Sequence, residues 1–219
     1  MAIPKVLYQT YISYNALPLV TRFFMRRSLR LCPKYRYEFY DDSRIEDFLL
    51  SEYGSGVHKT YKKISIGAAK ADFFRYAILY KKGGIYLDVD SLITKNLDGL
   101  IKSDDFAIIS RERNPGLYVQ WALIYAPGHP FLEAVLEKVI MNIETNRFPH
   151  DVHSMTGPRA YSDAINECLQ RKTEEISYRE FGVDYEGFFQ FKYRGARFLY
   201  RRRPHWRTLQ QQNGILSNP

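Results

Sequence analysis

An α/β fold, with a central sheet flanked by helices on both faces, is what this sequence predicts, and three observations carry it. Strand-like and helix-like segments alternate along the chain as far as residue 140. Glycine and proline fall at the joints, as at Pro33 and Gly83-Gly84. A length of 219 residues suits one substantial core, with apolar residues at 45% and charged residues at 26%, both ordinary globular values.

The stretch "IPKVLYQTY" has the β-branched and apolar content of a buried strand beginning at Pro4. Residues 18–31 form a helix, with Val20, Phe23 and Phe24 on one side, arginines on the other and Pro33 beyond its end. "YRYEFY" alternates Tyr35, Tyr37 and Phe39 with polar partners and is a strand; "DDSRIEDFLL" opens a helix, with Ser43 and Glu46 at capping-box spacing. A helix over 67–82 stops at Gly83-Gly84 and leads into a strand over 85–89. Residues 106–110 and 119–126 are further strands, and "HPFLEAVLEKVIMNI" is a helix by the spacing of Phe131, Val135, Leu136, Val139 and Ile140. Another helix follows "TGPRA", and aromatic strands close the chain near 187–200. No repeat or linker divides residues 1–219, which read as a single domain with 187–219 as a basic C-terminal segment.

Charge is concentrated. From Gln190 to Pro219 there are seven basic residues and no acid, and Thr21 to Tyr37 is a second acid-free cationic run. Such runs suit a diphosphate, a polyanion or an anionic membrane surface; each also serves as a solvated face. The 18 Tyr and 14 Phe fit either an aromatic core or a cleft for ring-bearing ligands. Cys32 and Cys168 have no zinc or CxxC spacing and read as free thiols. No run has the length of a membrane span, and the N-terminus lacks a secretory pattern. The expectation is a soluble, cytoplasmic protein.

The chemistry concentrates in "KADFFRYAILYKKGGIYLDVDS", residues 70–91. Asp88 and Asp90 stand where an apolar strand runs out, and two carboxylates two apart in extended chain address one cation. Their hard oxygens suit Mg²⁺ or Mn²⁺ with coordination positions left for a diphosphate. Asp72 and Arg75, three apart on the preceding helix, share a face and reach one another or a common ligand. Each signal has a plainer reading: acids at strand ends cap turns, and Asp–Arg pairs are common on helix surfaces. Together the four residues converge on one strand end.

This stretch resembles the signature of DXD-containing glycosyltransferases of family 32, the group that includes the mannosyltransferase starting yeast outer chains. It is also similar to the catalytic core of the large glucosylating toxins. "IPKVLYQTY", "YEFYDDSRIEDFL", "APGHPFLEAVL" and "TGPRA" extend the likeness over most of residues 3–165. The resemblance implies a GT-A fold with a Rossmann-like mixed sheet, a nucleotide-sugar donor (a UDP-sugar favoured over GDP-mannose), Mn²⁺ or Mg²⁺, and retention at the anomeric carbon. It implies that Asp90 ligates the metal directly, that Asp88 contacts ribose and metal, and that Asp72 and Arg75 grip the donor sugar. Gln9, Tyr11 and Val89 join the donor site, with Tyr11, where relatives carry Trp, stacking on the base or filling the core. The tail departs from the family pattern but keeps His205-Trp206, so His205 is the candidate third ligand, with His150 and His153 as rivals. The acid-free basic tail supplies cations if it folds back over the site, where Arg201, Arg202, Arg203, His205 or Arg207 would close on the diphosphate. The acceptor is a glycan, protein or lipid.

Two other classes stand beside this one. A nucleotidyltransferase also uses paired aspartates, but this sequence shows neither a glycine-rich phosphate loop nor a third acid on an adjacent strand. A basic, aromatic nucleic-acid binder would use the cationic runs, yet it leaves Asp88 and Asp90 unexplained and repelling the ligand, so no nucleic-acid partner is expected.

Overall fold

The computed structural model describes residues 2–171, 176–200 and 206–217. In chain order the elements are β1 (Val6–Thr10), α1 (Leu19–Leu31), β2 (Arg36–Tyr40), α2 (Asp42–Lys62), α3 (Gly67–Lys82) and β3 (Gly84–Leu87). Then come β4 (Leu92–Ile93), β5 (Ala107–Arg111), β6 (Ala122–Tyr125), α4 (Pro130–Glu144), α5 (Val152–Met155) and α6 (Pro158–Arg171). The last are β7 (Arg179–Val183), β8 (Phe189–Gln190) and α7 (Trp206–Asn213).

The main sheet has the order β2-β1-β3-β6-β5-β7. β1 runs parallel to both β2 and β3, β6 is antiparallel to its neighbours, and β7 is parallel to β5. The predicted mixed α/β sheet is thus present. Alternation along the strands divides two cores. Tyr8, Tyr86, Leu123 and Tyr125 face the side packed by α2, α3, α4 and α6, while Leu7, Ile85, Leu87 and Ile124 face the side reached by the end of α1. Many of the tyrosines belong to this core: Tyr8, Tyr61, Tyr76, Tyr86, Tyr118, Tyr125, Tyr161 and Tyr185 are all fully buried.

The chain goes from β1 to β2 on one side and later returns to place β3 on the other. The carboxyl ends of β1 and β3 therefore form a topological switch point, where open α/β sheets bind ligands. The Gly83-Gly84 turn makes the return possible. Both residues have positive φ, 60° and 112°; a Cβ on Gly83 would lie 2.6 Å from Pro127 Cδ, and one on Gly84 2.7 Å from the Val6 carbonyl. Only glycines let α3 fold back on β3 this tightly.

The structure corrects two expectations, the α2 cap and the C-terminal strands, and adds two features. The cap of α2 is Asp41, whose side chain accepts from the Arg44 N–H at 3.0 Å; Ser43 lies already inside the helix. Gly54, with φ 78° and ψ 179°, kinks that helix. β7 was not foreseen, because its sequence, "REFGV", is a polar edge strand interrupted by glycine. The expected aromatic strands near 187–200 shrink to β8, which pairs with β4, and a 3-10 turn at Ala196–Tyr200. Their side chains fill clusters with α1: Tyr193 and Ala196 pack with Val20 and Phe24, and Leu199 with Leu17 and Met25. Cys32 and Cys168 are free thiols.

Candidate active site

Asp88 follows the last residue of β3, and the strand ends before the DxD stretch does. The Ser91 N–H bonds the Asp88 carbonyl at 2.9 Å, closing Asp88–Ser91 into a turn, so the two acids are set by a turn instead of an extended strand. The Asp88 N–H is held by the Trp121 carbonyl at 2.9 Å. Gln9, buried at the end of β1, reaches the Asp88 carbonyl with Nε2 at 3.4 Å.

Arg75 is the hub. Its guanidinium carries five N–H groups, and five acceptors surround it. Nε donates to the Ala71 carbonyl (3.3 Å) and Nη1 to the carbonyl and Oε1 of Gln120 (2.8 and 2.7 Å). Nη2 meets Asp88 Oδ1 at 2.9 Å and Asp72 Oδ1 at 3.1 Å. The side chain is only 4% exposed and lies 4.7 Å above the Tyr86 ring. Burial works to lower its pKa, but Asp88, Tyr86 and Asp72 outweigh it and hold the cation firmly charged. The Asp72–Arg75 pair is therefore interior, with Asp72 8% exposed, and is no solvated helix-surface pair.

Two residues that sequence inspection missed complete the network. Gln120 Nε2 donates to Asp72 Oδ1 (2.8 Å) and to the Tyr76 hydroxyl (2.7 Å). Thr156 donates its hydroxyl to Asp72 Oδ2 at 2.9 Å, and its carbonyl accepts from Tyr76. Asp72 thus accepts two hydrogen bonds and forms an ion pair with Arg75, and Oδ2 keeps an acceptor position. The sequence did carry a signal for Gln120, a lone amide inside the apolar run "VQWALIYA".

Asp88 Oδ1 accepts from Arg75 and from the Tyr86 hydroxyl (3.0 Å), while Oδ2 makes no hydrogen bond among the described residues. Burial, with the carboxylates of Asp90 and Asp72, pushes the Asp88 pKa up to about 7 against the pull of Arg75. Asp90 is buried, and its carbonyl accepts the Tyr193 N–H at 3.0 Å. Next to it, Ser91 Oγ is buried without a hydrogen-bond partner among the described residues. Tyr11 and Val89 both pack against the cluster of Leu17, Met25 and Leu199, and the Tyr11 hydroxyl donates to the Leu199 carbonyl at 3.3 Å. Gln9, Tyr11, Asp72, Arg75, Asp88, Val89 and Asp90 thus sit at one strand-end locus, with residues 193–199 laid against it.

The histidines separate. His150 bonds the Gln210 carbonyl at 2.6 Å and His153 packs on Trp206, so both fasten α7. His205 and Arg201–Arg203 lie outside the described residues. Among the described residues, no three His, Cys, Asp or Glu side chains form a metal-holding group, and no helix is long and apolar enough to cross a membrane.

A mixed sheet with buried acids at its switch point is the architecture of GT-A-type glycosyltransferase domains, and solved structures agree. The PaToxG glycosyltransferase superposes with a TM-score of 0.63 at 18% identity, over 77% of this chain and 70% of its own. The UDP-bound glycosyltransferase domain of the YGT toxin gives 0.56 at 10% identity, over 80% of each. The model for the glycosyltransferase sugar-binding region containing the DXD motif matches residues 21–107. An uncharacterized glycosyltransferase of Acanthamoeba polyphaga mimivirus is 30% identical over 178 residues, 80% of this chain and 70% of that protein. The initiation-specific alpha-1,6-mannosyltransferase of Schizosaccharomyces pombe is 27% identical over 63% of this chain, and its inositol phosphoceramide mannosyltransferase 3 is 31% identical over 72%. The chain spans 42% and 43% of the length of these two yeast relatives. The chain belongs to the DXD-containing glycosyltransferase family, and it is a glycosyltransferase.

Proposed function

We propose that this chain moves a hexosyl residue from a nucleoside-diphosphate sugar to a hydroxyl of a glycan, protein or lipid, with a divalent cation and with retention at the anomeric carbon. The observation that carries this reading is the pair Asp88 and Asp90 at the switch point, with Asp88 braced by Arg75.

The donor set suits Mn²⁺ or Mg²⁺. A carboxylate oxygen without a hydrogen bond, an Asp88 pKa raised first by burial and then by the neighbouring carboxylates, and an unsatisfied Ser91 hydroxyl are features a hard cation would resolve. Asp90 would hold the ion directly and Asp88 partly through water; His205 remains the expected further ligand. When bound, the cation supplies Lewis-acid neutralisation of the departing diphosphate. Asp72 Oδ2 has room to accept one hydroxyl of the donor sugar. Arg75, hydrogen-bonded to Ala71, Gln120 and Asp88 and ion-paired with Asp72, acts as a positioning residue that fixes Asp88 and Asp72. Tyr11, which like Val89 packs against the Leu199 cluster, would stack on the base. The basic segment 187–219 closes over the site, a role favoured by the Tyr193–Asp90 and Tyr11–Leu199 bonds.

Retention follows from front-side attack. The acceptor oxygen bonds C1 as the C1–O bond to the diphosphate breaks, and the acceptor's proton passes to a diphosphate oxygen. Asp72, the remaining acid of the cluster, is tied to three donors and is poorly placed as a nucleophile. A UDP-sugar is the donor the toxin likeness favours; the relatives of higher identity are named mannosyltransferases, which favours a mannosyl donor.

The test is release of nucleoside diphosphate from a panel of UDP- and GDP-sugars, with Mn²⁺ and with EDTA, beside Asp90→Asn. Release from one donor, abolished by chelator and by Asp90→Asn, is the expected result. No release, together with no metal-dependent binding of any donor, would refute it.

A further inference from the structure

The exposed face of α1 has no partner on another element among the described residues. Leu19 is 79% and Phe23 60% exposed, and both point outward from a helix whose other side, Thr21, Met25 and Ser28, is buried. Phe23 thus lies on the arginine face and not, as the sequence pattern suggested, opposite it. Arg26, Arg27 and Arg30 follow at spacings of three and four, so the same face turns from apolar to cationic along its length. None of these three arginines enters a salt bridge among the described residues.

Charge along the chain is segregated in a way that bears on this face. The first acid in the sequence is Glu38 and the last is Glu186, so both ends of the chain are cationic and acid-free. The structure brings these ends together. Phe24 of α1 packs on Tyr193 with ring centroids 4.6 Å apart, and the Thr21 hydroxyl bonds that of Tyr193. Phe198, 39% exposed, and the exposed Arg194 and Arg197 thereby continue the surface beside the start of α1.

We propose that this face docks the protein on an anionic phospholipid surface. Leu19 and Phe23 enter the headgroup–acyl boundary, and the arginines meet the phosphate and serine groups of the lipids. Complementarity selects this occupant: outward apolar side chains next to unpaired cations, with no acid in either contributing segment, match a bilayer interface that is apolar below and negative above. Docking would also hold the site's mouth near the bilayer, since the buried side of α1 is fastened to the chain just past Asp90, where Ser28 accepts from the Ile93 N–H at 3.1 Å and Tyr193 bonds the Asp90 carbonyl. The proposal does not depend on which donor is used or on whether transfer occurs.

The experiment is flotation of the full chain with vesicles of phosphatidylcholine, alone or with about one-third phosphatidylserine. The expected result is flotation with the anionic vesicles only, weakening as salt is raised. Replacing Leu19→Ser and Phe23→Ser together should abolish it. Replacing Arg26→Gln, Arg27→Gln and Arg30→Gln together should weaken it roughly a hundredfold, about fivefold per cation. Both variants should keep the wild-type melting temperature and the same nucleoside diphosphate release in solution, because none of these residues touches the strand-end site. The proposal is overturned by no flotation, by equal flotation with phosphatidylcholine alone, or by variants that float like the wild type. It is equally overturned if Phe23→Ser dissolves a dimer of this chain that never floats, or if the face retains RNA and ignores vesicles.

Discussion

Arg75 and the arginines of α1 are the same residue in opposite circumstances. Arg75 is 4% exposed, hydrogen-bonds Ala71, Gln120 and Asp88, and forms an ion pair with Asp72. Arg26, Arg27 and Arg30 are exposed and make no salt bridge among the described residues. The comparison teaches where a cation organises the protein and where it is left for something outside. A buried guanidinium is tolerable only when fully paired, and once paired it dictates the orientation of every carboxylate it touches. An exposed one dictates nothing in the fold and is available to a partner.

The comparison is broken most severely at Arg75. Arg75→Ala leaves Asp72 and Asp88 buried without their cation and should cost about 3–5 kcal/mol, read from urea unfolding midpoints. Arg75→Lys should recover only part of this, since three donors replace five in a different geometry.

His129 is a second interior group with both ends committed. Its Nδ1 accepts from the Phe131 N–H at the start of α4 (3.2 Å), so its Nε2 carries the proton and donates to the Ser177 carbonyl (3.1 Å). Burial lowers its pKa from 6.5 to about 4, against the raising effect of that carbonyl. The folded imidazole therefore stays neutral while the unfolded one takes up a proton below pH 6.5, and stability falls as pH drops through that window toward 4. Between pH 7 and pH 5 the loss is on the order of 2 kcal/mol. His129→Asn keeps a cap but removes the titration, and its stability should vary less over that range.

A smaller effect is expected at Gln120. Gln120→Leu leaves Asp72 Oδ1, one Arg75 N–H and the Tyr76 hydroxyl each short of a bond, for about 1–3 kcal/mol of stability. Gln120→Glu keeps the acceptor for Arg75 but turns a carboxylate toward Asp72. If the network's purpose is orientation of the acids, turnover should fall more than stability in Gln120→Glu, and donor KM should shift with it. At the bottom of the scale, single Arg26→Gln or Arg30→Gln changes should move stability by less than about 0.5 kcal/mol.

Much of this was legible in the sequence because its signals were local. The Gly83-Gly84 stop, the apolar strand before Asp88 and the three-residue spacing of Asp72 and Arg75 all lie within one stretch of chain, and the structure places them as expected. Gln120 and Thr156 were not found, since they reach Asp72 across 48 and 84 residues of sequence and no local periodicity reports such a contact. The burial of the Asp72–Arg75 pair was invisible for the same reason. β7 escaped because an edge strand needs little apolar pattern, and the aromatic tail misled because its rings serve packing against α1 in a coil and 3-10 turn.

The central claim, that the strand end carrying Asp88 and Asp90 is a cation-assisted diphosphate site, is tested most directly by titrating UDP and GDP into the wild type and Asp90→Asn by calorimetry, with Mn²⁺ and with EDTA. Binding of one nucleotide that requires Mn²⁺ and is lost in a still-folded Asp90→Asn is the predicted result. Affinity for both nucleotides that is unchanged by EDTA and by Asp90→Asn would contradict it.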